Sequence, residues 1–135
     1  MDESVNAINP IYDVLIHTLR DHKVSDFHVH AGRPVQIRET GDLHALDFIA
    51  TNAMIANLIK TTIGDADFAK FEESGDVDFA LEIEGQRFRV SGYRMMHGFA
   101  MVLRVIVSEV PHIDMLGLPP AVHEALKLKS GLVLV

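Results

Sequence analysis

Alternation of apolar and polar residues is strongest between positions 76 and 106. In its first part the apolar positions are spaced by two, at Val77, Phe79, Leu81 and Ile83. A period of two residues is typical of a strand that buries one face. Residues 87–94 and 98–106 form two further strand-like runs, and Gly85 and Gly98 lie in turn-sized gaps between the runs. The stretch therefore predicts three consecutive antiparallel strands.

A second, smaller group of strands precedes this one. Residues 25–31 again alternate with a period of two, and residues 35–40 and 43–46 read as short strands. Gly32 and Gly41 lie between them, where the chain must turn. The sequence therefore predicts two meanders, one on each side of a helical region.

Helical spacing of apolar residues marks the segments outside the meanders. Asn9 before a proline predicts a helix start, because asparagine caps helices and proline suits the first turn. This helix is predicted to extend to about position 22. A second helix begins at Thr51 and ends at Gly64. Asp65 is predicted to cap a shorter third helix that stops at Gly75.

The last 25 residues differ in composition from the rest. Residues 111–120 are rich in proline and predict a linker, and residues 121–128 predict a helix. Residues 131–135 read Gly-Leu-Val-Leu-Val, typical of a strand buried on both faces, as in a parallel sheet. No upstream strand offers a partner of that kind. We therefore expect a domain at 1–110, a linker and helix at 111–130, and the first strand of a further domain at 131–135.

These patterns together predict the fold class. The elements fit an α+β fold, with a mostly antiparallel sheet of about six strands and helices packed on one side.

Composition narrows the functional classes. The chain has 135 residues and reads as one domain with a sizeable core. It contains no cysteine, so disulfides and thiolate zinc sites are excluded and a cytoplasmic location is the simplest expectation. The N-terminus lacks the features of a signal peptide. The net charge of -7 argues against a nucleic-acid partner, which requires a concentrated positive surface.

Arginines on the polar side of the second meander are the strongest candidates for a functional surface. They are Arg87, Arg89, Arg94 and Arg104, and they lie on adjacent predicted strands. A guanidinium group donates two parallel hydrogen bonds, which suits the oxygens of a phosphate. The alternative is that they form surface ion pairs with acidic residues nearby. The candidate partners are Asp76, Asp78, Glu82 and Glu109.

Other candidate chemistry is weaker. Asp26, His28 and His30 alternate on one strand face, and such a row of side chains could bind a metal ion. Two histidines two positions apart are poorly spaced for a tetrahedral ion, so the sequence favours polar surface or interdomain contacts there, and no metal site. The remaining histidines show no nucleophile–base arrangement, and no catalytic residue is predicted within this chain.

Several short motifs, in order, resemble one known family. They are Ser-Asp-Phe-His-Val-His-Ala-Gly at 25–32, Pro-Val-Gln-Ile-Arg at 34–38, Gly-Asp-Leu at 41–43, Arg-Phe-Arg-Val at 87–90, Leu-Arg-Val-Ile at 103–106, Leu-Gly-Leu-Pro at 116–119 and Gly-Leu-Val-Leu-Val at 131–135. Together they are similar to the opening of PilT-type twitching-motility ATPases and their secretion relatives.

This resemblance implies a PAS-like N-terminal domain of a cytoplasmic hexameric ATPase, bound peripherally at the inner membrane. ATP and Mg²⁺ would be cofactors of the complete protein, and none is expected for this chain alone, which lacks a glycine-rich phosphate-binding loop. Its partners would be further copies of itself and pilus or secretion platform proteins. The resemblance implies that Arg89 and Arg104 reach the nucleotide held by the following RecA-like domain, and it leaves Arg87 and Arg94 undecided.

A different class of function remains open from the residues alone. A free-standing PAS-like sensor would bind a small ligand in its core. Such a domain needs a pocket with a few convergent polar groups, and the predicted apolar faces supply none.

Overall fold

The computed structural model describes residues 9–134. In chain order the elements are α1 (Pro10–Asp21), β1 (Val24–His30), β2 (Pro34–Glu39), β3 (Asp42–Ile49), α2 (Asn52–Ile63), α3 (Asp65–Ser74), β4 (Asp76–Ile83), β5 (Gln86–Met95), β6 (Gly98–Ile106), a 3-10 helix (Ile113–Leu116) and α4 (Pro120–Ala125). None of the helices within residues 9–134 is both long enough and apolar enough to cross a bilayer.

The two meanders form one six-stranded antiparallel sheet with the strand order β3-β2-β1-β6-β5-β4. The pairing of β1 with β6 joins them, because Asp26 is opposite Arg104 and His30 is opposite Ala100. Helices cover one face of this sheet. The prediction of an α+β fold with a mostly antiparallel sheet and helices on one side is confirmed, and its PAS-like character stays a prediction.

Asn9 begins α1 and also ties that helix to α2. Its Oδ1 atom accepts a hydrogen bond from the Ile11 amide at 3.1 Å, and its Nδ2 atom donates to the Met54 carbonyl at 2.8 Å. Thr51 caps α2 in the same way, because its Oγ1 atom accepts from the Met54 amide at 3.2 Å. Both predicted helix starts are therefore confirmed.

One predicted cap is wrong. Asp65 is the first residue of α3, and Gly64 precedes it without a side-chain hydrogen bond to the helix. The acidic side chains of Asp65 and Asp67 instead lie in the first turn, where carboxylates complement the positive end of the helix dipole. The predicted stop at Gly75 is confirmed, because that residue is in the left-handed conformation and its amide bonds to the Phe71 carbonyl at 2.8 Å.

Two short turns define the registers of the meanders. Thr40–Gly41 and Glu84–Gly85 each have two consecutive residues with positive φ, which is typical of a type I′ hairpin turn. The β4–β5 turn places Ile83 opposite Gln86 and Ala80 opposite Arg89. A two-residue turn of this type fixes the register of the two strands, and the register determines which residues of β5 face the helices.

The core lies between the sheet and the helices. Its fully buried side chains from the helices include Ile11, Leu15, Ile55, Leu58, Ile59 and Phe71, and those from the strands include Phe27, Val29, Ile37, Ile83, Phe88, Val90, Met101 and Leu103. The alternation predicted for β4 and β5 is confirmed. The other face of the sheet, which we call the open face, carries polar residues that include Asp26, His28, His30, Arg38, Arg89, Ser91, Tyr93 and Arg104.

The C-terminal helix is shorter than predicted, and the strand predicted after it stays a prediction. Helix α4 ends at Ala125, three positions before the predicted end at Leu128. Residues 131–134 pair with no strand, and their side chains are exposed, with Leu132 at 83% and Leu134 at 85%. A strand buried on both faces needs partner strands, and residues 9–134 provide none at this position. Val135 lies outside the described residues.

Candidate functional site

Four neighbouring strands place a row of charged side chains across the open face. Asp26 of β1 is paired with Arg38 of β2 on one side and with Arg104 of β6 on the other. Arg104 is in turn paired with Arg89 of β5. Cβ atoms at paired antiparallel positions lie about 4.5–5.5 Å apart. The row therefore sets three guanidinium groups against a single carboxylate.

Asp26 and Arg104 are in direct contact at the centre of this row. The Nε atom of Arg104 donates to Oδ1 of Asp26 at 3.0 Å. The second carboxylate oxygen accepts from the Ser25 hydroxyl at 2.9 Å and lies 4.0 Å from Nε of Arg38. Arg38 directs its Nη1 atom to the Gly41 carbonyl at 2.9 Å. Asp26 is therefore bound more closely to Arg104 than to Arg38.

The environment of Asp26 keeps its carboxyl group ionised. Burial acts to raise the pKa of Asp26, since its residue is only 7% exposed. Hydrogen bonds from Arg104 and Ser25, together with the positive charge of Arg104, outweigh burial and hold the pKa below its ordinary value. The carboxylate is therefore a permanent negative charge at neutral pH.

Arg89 lies opposite Arg104 without a carboxylate of its own. Within residues 9–134 no acidic oxygen lies within 4.0 Å of its guanidinium group. Asp78, one of the partners considered from the sequence, instead accepts a hydrogen bond from Ser91. A shallow depression of about 300 Å³ opens between the two arginines, and it is lined by Asp26, Arg89, Ser91, Val102 and Arg104.

The other two candidate arginines lie elsewhere. Arg87 is on the open face, opposite Glu82 and Ile106, and forms no ion pair among the described residues. Arg94 is separated from Phe88 and Val90 by an even number of residues, so its side chain lies on the same, helix-covered face of β5. It donates a hydrogen bond to the Glu72 carbonyl near the end of α3. The structure thus places Arg89 and Arg104 opposite each other on the open face, with Arg87 two positions away on the same face of β5. Arg94 lies on the opposite face of the sheet.

The histidines of β1 form a second polar group beside the charged row. His30 Nε2 and the Tyr93 hydroxyl are 2.9 Å apart, and a depression of about 220 Å³ is lined by His28, His30, Arg33, Pro34, Gln36 and Ala45. Burial, followed by the positive charges of His28 and Arg33, lowers the pKa of His30. Among the residues described here, no three His, Asp or Glu side chains are grouped closely enough to hold a metal ion.

The sequence interpretation missed the role of Asp26 as the partner of Arg104. These residues are 78 positions apart, and their contact depends on the β1–β6 register. The available signal was that Asp26 shares a strand face with two histidines, which marked that face as polar. The sequence could also have shown that Arg89 and Arg94 lie on opposite faces of β5. They are five residues apart, and an odd spacing in a strand reverses the side-chain direction.

Two curated proteins are similar to this chain over most of its length. The uncharacterized protein YggR of Escherichia coli K12 is 34% identical over 115 residues, which is 84% of this chain and 35% of YggR. The type IV pilus retraction ATPase PilT of Pseudomonas aeruginosa is 33% identical over 113 residues, or 82% of this chain and 33% of PilT. The chain thus spans about a third of the length of these relatives. No family model matches it.

Solved structures have the same fold. The pilus retraction motor PilT with bound ADP superposes with a TM-score of 0.71 at 30% identity, over 84% of this chain and 34% of that one. The ATPase DotB of Legionella pneumophila superposes with a TM-score of 0.66 over 92% of this chain and 36% of that one, and its 21% identity supports the fold alone. By sequence and by fold, the chain is homologous to about a third of the pilus retraction ATPase PilT.

Proposed function

We propose that this chain is the N-terminal domain of an ATPase that powers pilus retraction or secretion, and that it clamps the nucleotide held by a motor domain. The supporting observation is the Arg89–Arg104 pair. Like charges directly opposite on neighbouring strands are unfavourable. Within residues 9–134, Asp26 is the one carboxylate within 4.0 Å of either guanidinium group. A polyphosphate in the depression between them would supply the missing negative charge.

The remaining parts of the nucleotide site would belong to the motor domain. We propose that residues 131–135 begin a RecA-like domain whose loop binds ATP and Mg²⁺, with residues 111–130 as the connection. Copies of the complete protein would form a hexameric ring in the cytoplasm, associated with pilus or secretion platform proteins at the inner membrane. The relatives include a pilus retraction ATPase and a pilus retraction motor, which supports this proposal.

The arginines would act when the two domains close. A guanidinium group that reaches the terminal phosphate only in the closed state stabilises the transition state and closure together. Removing one donor of this kind costs about 3 kcal/mol of transition-state stabilisation. Removing an arginine from a surface ion pair costs about 0–1 kcal/mol of folding stability and does not change turnover. The two readings of these arginines therefore predict different kinetics.

Alanine substitution of each arginine in the complete protein tests the proposal. We expect Arg89→Ala and Arg104→Ala to reduce ATP turnover by at least about tenfold, in keeping with the loss of a transition-state contact. Hydrolysis rate and thermal midpoint are measured for the same preparations. Arg20→Ala is the control, since Arg20 is an exposed arginine in the last turn of α1, outside the charged row.

Unchanged turnover in both variants would contradict clamping. It would instead favour the alternative that Arg89 and Arg104 take part only in surface ion pairs. Lower turnover accompanied by an equally large loss of thermal stability would also count against it, because a damaged fold would then explain the rate.

The sensor alternative has less support in the structure. Buried positions between the sheet and the helices are almost entirely apolar, and the two buried polar residues within 9–134 are Asn9 and Asp26. Asn9 is engaged in helix capping and Asp26 lies on the open face. The polar depressions at Asp26 and at His30 are on the outside of the sheet, whereas a core sensor would need its polar groups inside.

A further inference from the structure

Asp26 contacts Arg104 from one side of the guanidinium group. The contact is made by Nε, the nitrogen nearest to the backbone, at 3.0 Å from Oδ1. Neither Nη atom of Arg104 has a hydrogen-bond partner among the described residues. The Arg104 side chain is 73% exposed, whereas that of Asp26 is 10% exposed. The buried carboxylate of Asp26 therefore holds the guanidinium group of Arg104 at Nε and leaves both Nη atoms available to a ligand.

A guanidinium group is planar, so fixing Nε restricts the direction of both Nη atoms. A long arginine side chain on a strand otherwise samples many rotamers, and ordering it costs conformational entropy. Asp26 meets part of this cost before any ligand arrives. Its own position is determined by Ser25, whose hydroxyl donates to Oδ2 at 2.9 Å.

We propose that Asp26 is the positioning residue of the site: it holds Arg104 through Nε so that both Nη atoms face the depression next to Arg89, ready to bind the oxygens of a terminal phosphate. This role rests on the clamping function proposed above. Asp26 does not itself meet the phosphate, because two negative charges would repel, and it acts only through Arg104.

The same contact permits the opposite role, in which Asp26 neutralises Arg104 and holds it away from phosphate. The two roles make opposite predictions. If Asp26 positions Arg104, its removal weakens phosphate contact and slows turnover. If Asp26 restrains Arg104, its removal frees a positive charge and increases ATP affinity or turnover.

The contact can be tested in the 135-residue chain without nucleotide. In ¹⁵N-resolved NMR spectra, we expect the Nε–H group of Arg104 to give a resolved signal that exchanges slowly with water, because it is bonded to a carboxylate. Asp26→Leu removes the acceptor at similar side-chain volume and should abolish this signal. Arg38→Gln is the matched control, since it removes the other arginine beside Asp26 and should leave the signal in place. An Arg104 signal unchanged by Asp26→Leu would overturn the proposal.

Turnover in the complete protein tests the consequence. We expect Asp26→Leu to lower kcat by about tenfold or more, as Arg104→Ala does. Asp26→Asn retains a neutral acceptor and should fall between Asp26→Leu and the unmodified protein. The Asp26→Leu/Arg104→Ala double variant should be no slower than Arg104→Ala alone, because both changes remove one shared interaction. Arg20→Gln should keep the unmodified rate, since Arg20 is exposed in the last turn of α1 and lies outside the charged row.

The outcomes separate this role from the clamping function. Normal turnover in both Arg89→Ala and Arg104→Ala overturns the clamping function and this role of Asp26 with it, whereas normal turnover in Arg104→Ala alone overturns only the role of Asp26. Slow turnover in Arg104→Ala with normal or faster turnover in Asp26→Leu overturns only the role of Asp26. Losses that multiply in the double variant would also overturn it, because Asp26 would then act independently of Arg104.

Discussion

His30 shows how the surroundings of one residue on the open face couple stability to pH. Its ring contacts the Tyr93 hydroxyl, and its pKa lies below the ordinary value of 6.5, first because of burial and then because of electrostatic repulsion from His28 and Arg33. A lowered histidine pKa means that the folded protein binds this proton less readily than the unfolded chain does. The folded state therefore gains stability from His30 above its ordinary pKa and loses it as the pH falls below that value.

We predict that the free energy of unfolding decreases between about pH 7.5 and pH 5.5, and that His30→Gln reduces this decrease. Urea denaturation at the two pH values measures the effect. His17→Gln, an exposed histidine on α1, is the control and should retain the decrease. An identical pH dependence in His30→Gln and the unmodified chain would show that other groups cause it.

Among the elements, three helix ends and the hairpin turns were predicted correctly from sequence. Asn9, Thr51 and Gly75 form the predicted caps and stop because capping depends on one side chain or one backbone conformation and its immediate neighbours. The strand predicted at 131–135 as the start of a further domain stays a prediction. A buried strand depends on partner strands, and the residues described here offer none to positions 131–134.

Gly92 of strand β5 lies against side chains of β4 and α2. A Cβ atom at this position would lie 3.1 Å from Cγ1 of Val77 and 3.2 Å from Cδ1 of Ile59, so little space remains between the sheet and α2. We predict that Gly92→Val lowers the free energy of unfolding by about 1–3 kcal/mol through overpacking.

Chemical denaturation measures this effect, and Ala80→Val is the matched control because Ala80 is exposed on the neighbouring strand β4. That variant should change stability by less than about 0.5 kcal/mol. Equal stability of Gly92→Val and the unmodified chain would mean that the contact between β5 and α2 adapts to a larger side chain.

For the whole molecule, the sequence predicted one sheet of about six strands but not how its halves meet. Local alternation identified the strands of each meander, whereas the β1–β6 register depends on residues that are far apart in the chain. The residues of the candidate site also differ in whether local sequence or long-range strand pairing identifies them. Arg89 and Arg104 were predicted from local pattern and resemblance, and Asp26 emerged as their neighbour only when the two meanders were placed side by side.

The C-terminal stretch gives the molecule an exposed apolar surface. Leu126, Leu128, Leu132, Val133 and Leu134 are each at least 65% exposed. Clusters of this kind promote association in solution. We predict that the 135-residue chain is monomeric at low micromolar concentration and associates weakly at about 100-fold higher concentration, in keeping with small, poorly shaped contacts.

Light scattering over a concentration series measures this association. The Leu132→Ser/Leu134→Ser double variant should suppress it, whereas Val110→Ser should not, because Val110 is equally exposed but lies outside the stretch. A stable hexamer at micromolar concentration would contradict the prediction, since ring formation would then need only the contacts of this chain.

The β1–β6 pairing also determines when the site comes into existence. Asp26 and Arg104 are separated by 78 positions, and closing so long a loop costs entropy that is recovered only once the strands pair. During synthesis on the ribosome, the first meander emerges with one side of β1 unpaired, and that edge stays open until β6 has left the exit tunnel. The charged row is thus complete only after β6 has paired with β1, and a nascent chain that stops before β6 has Asp26 but not Arg104.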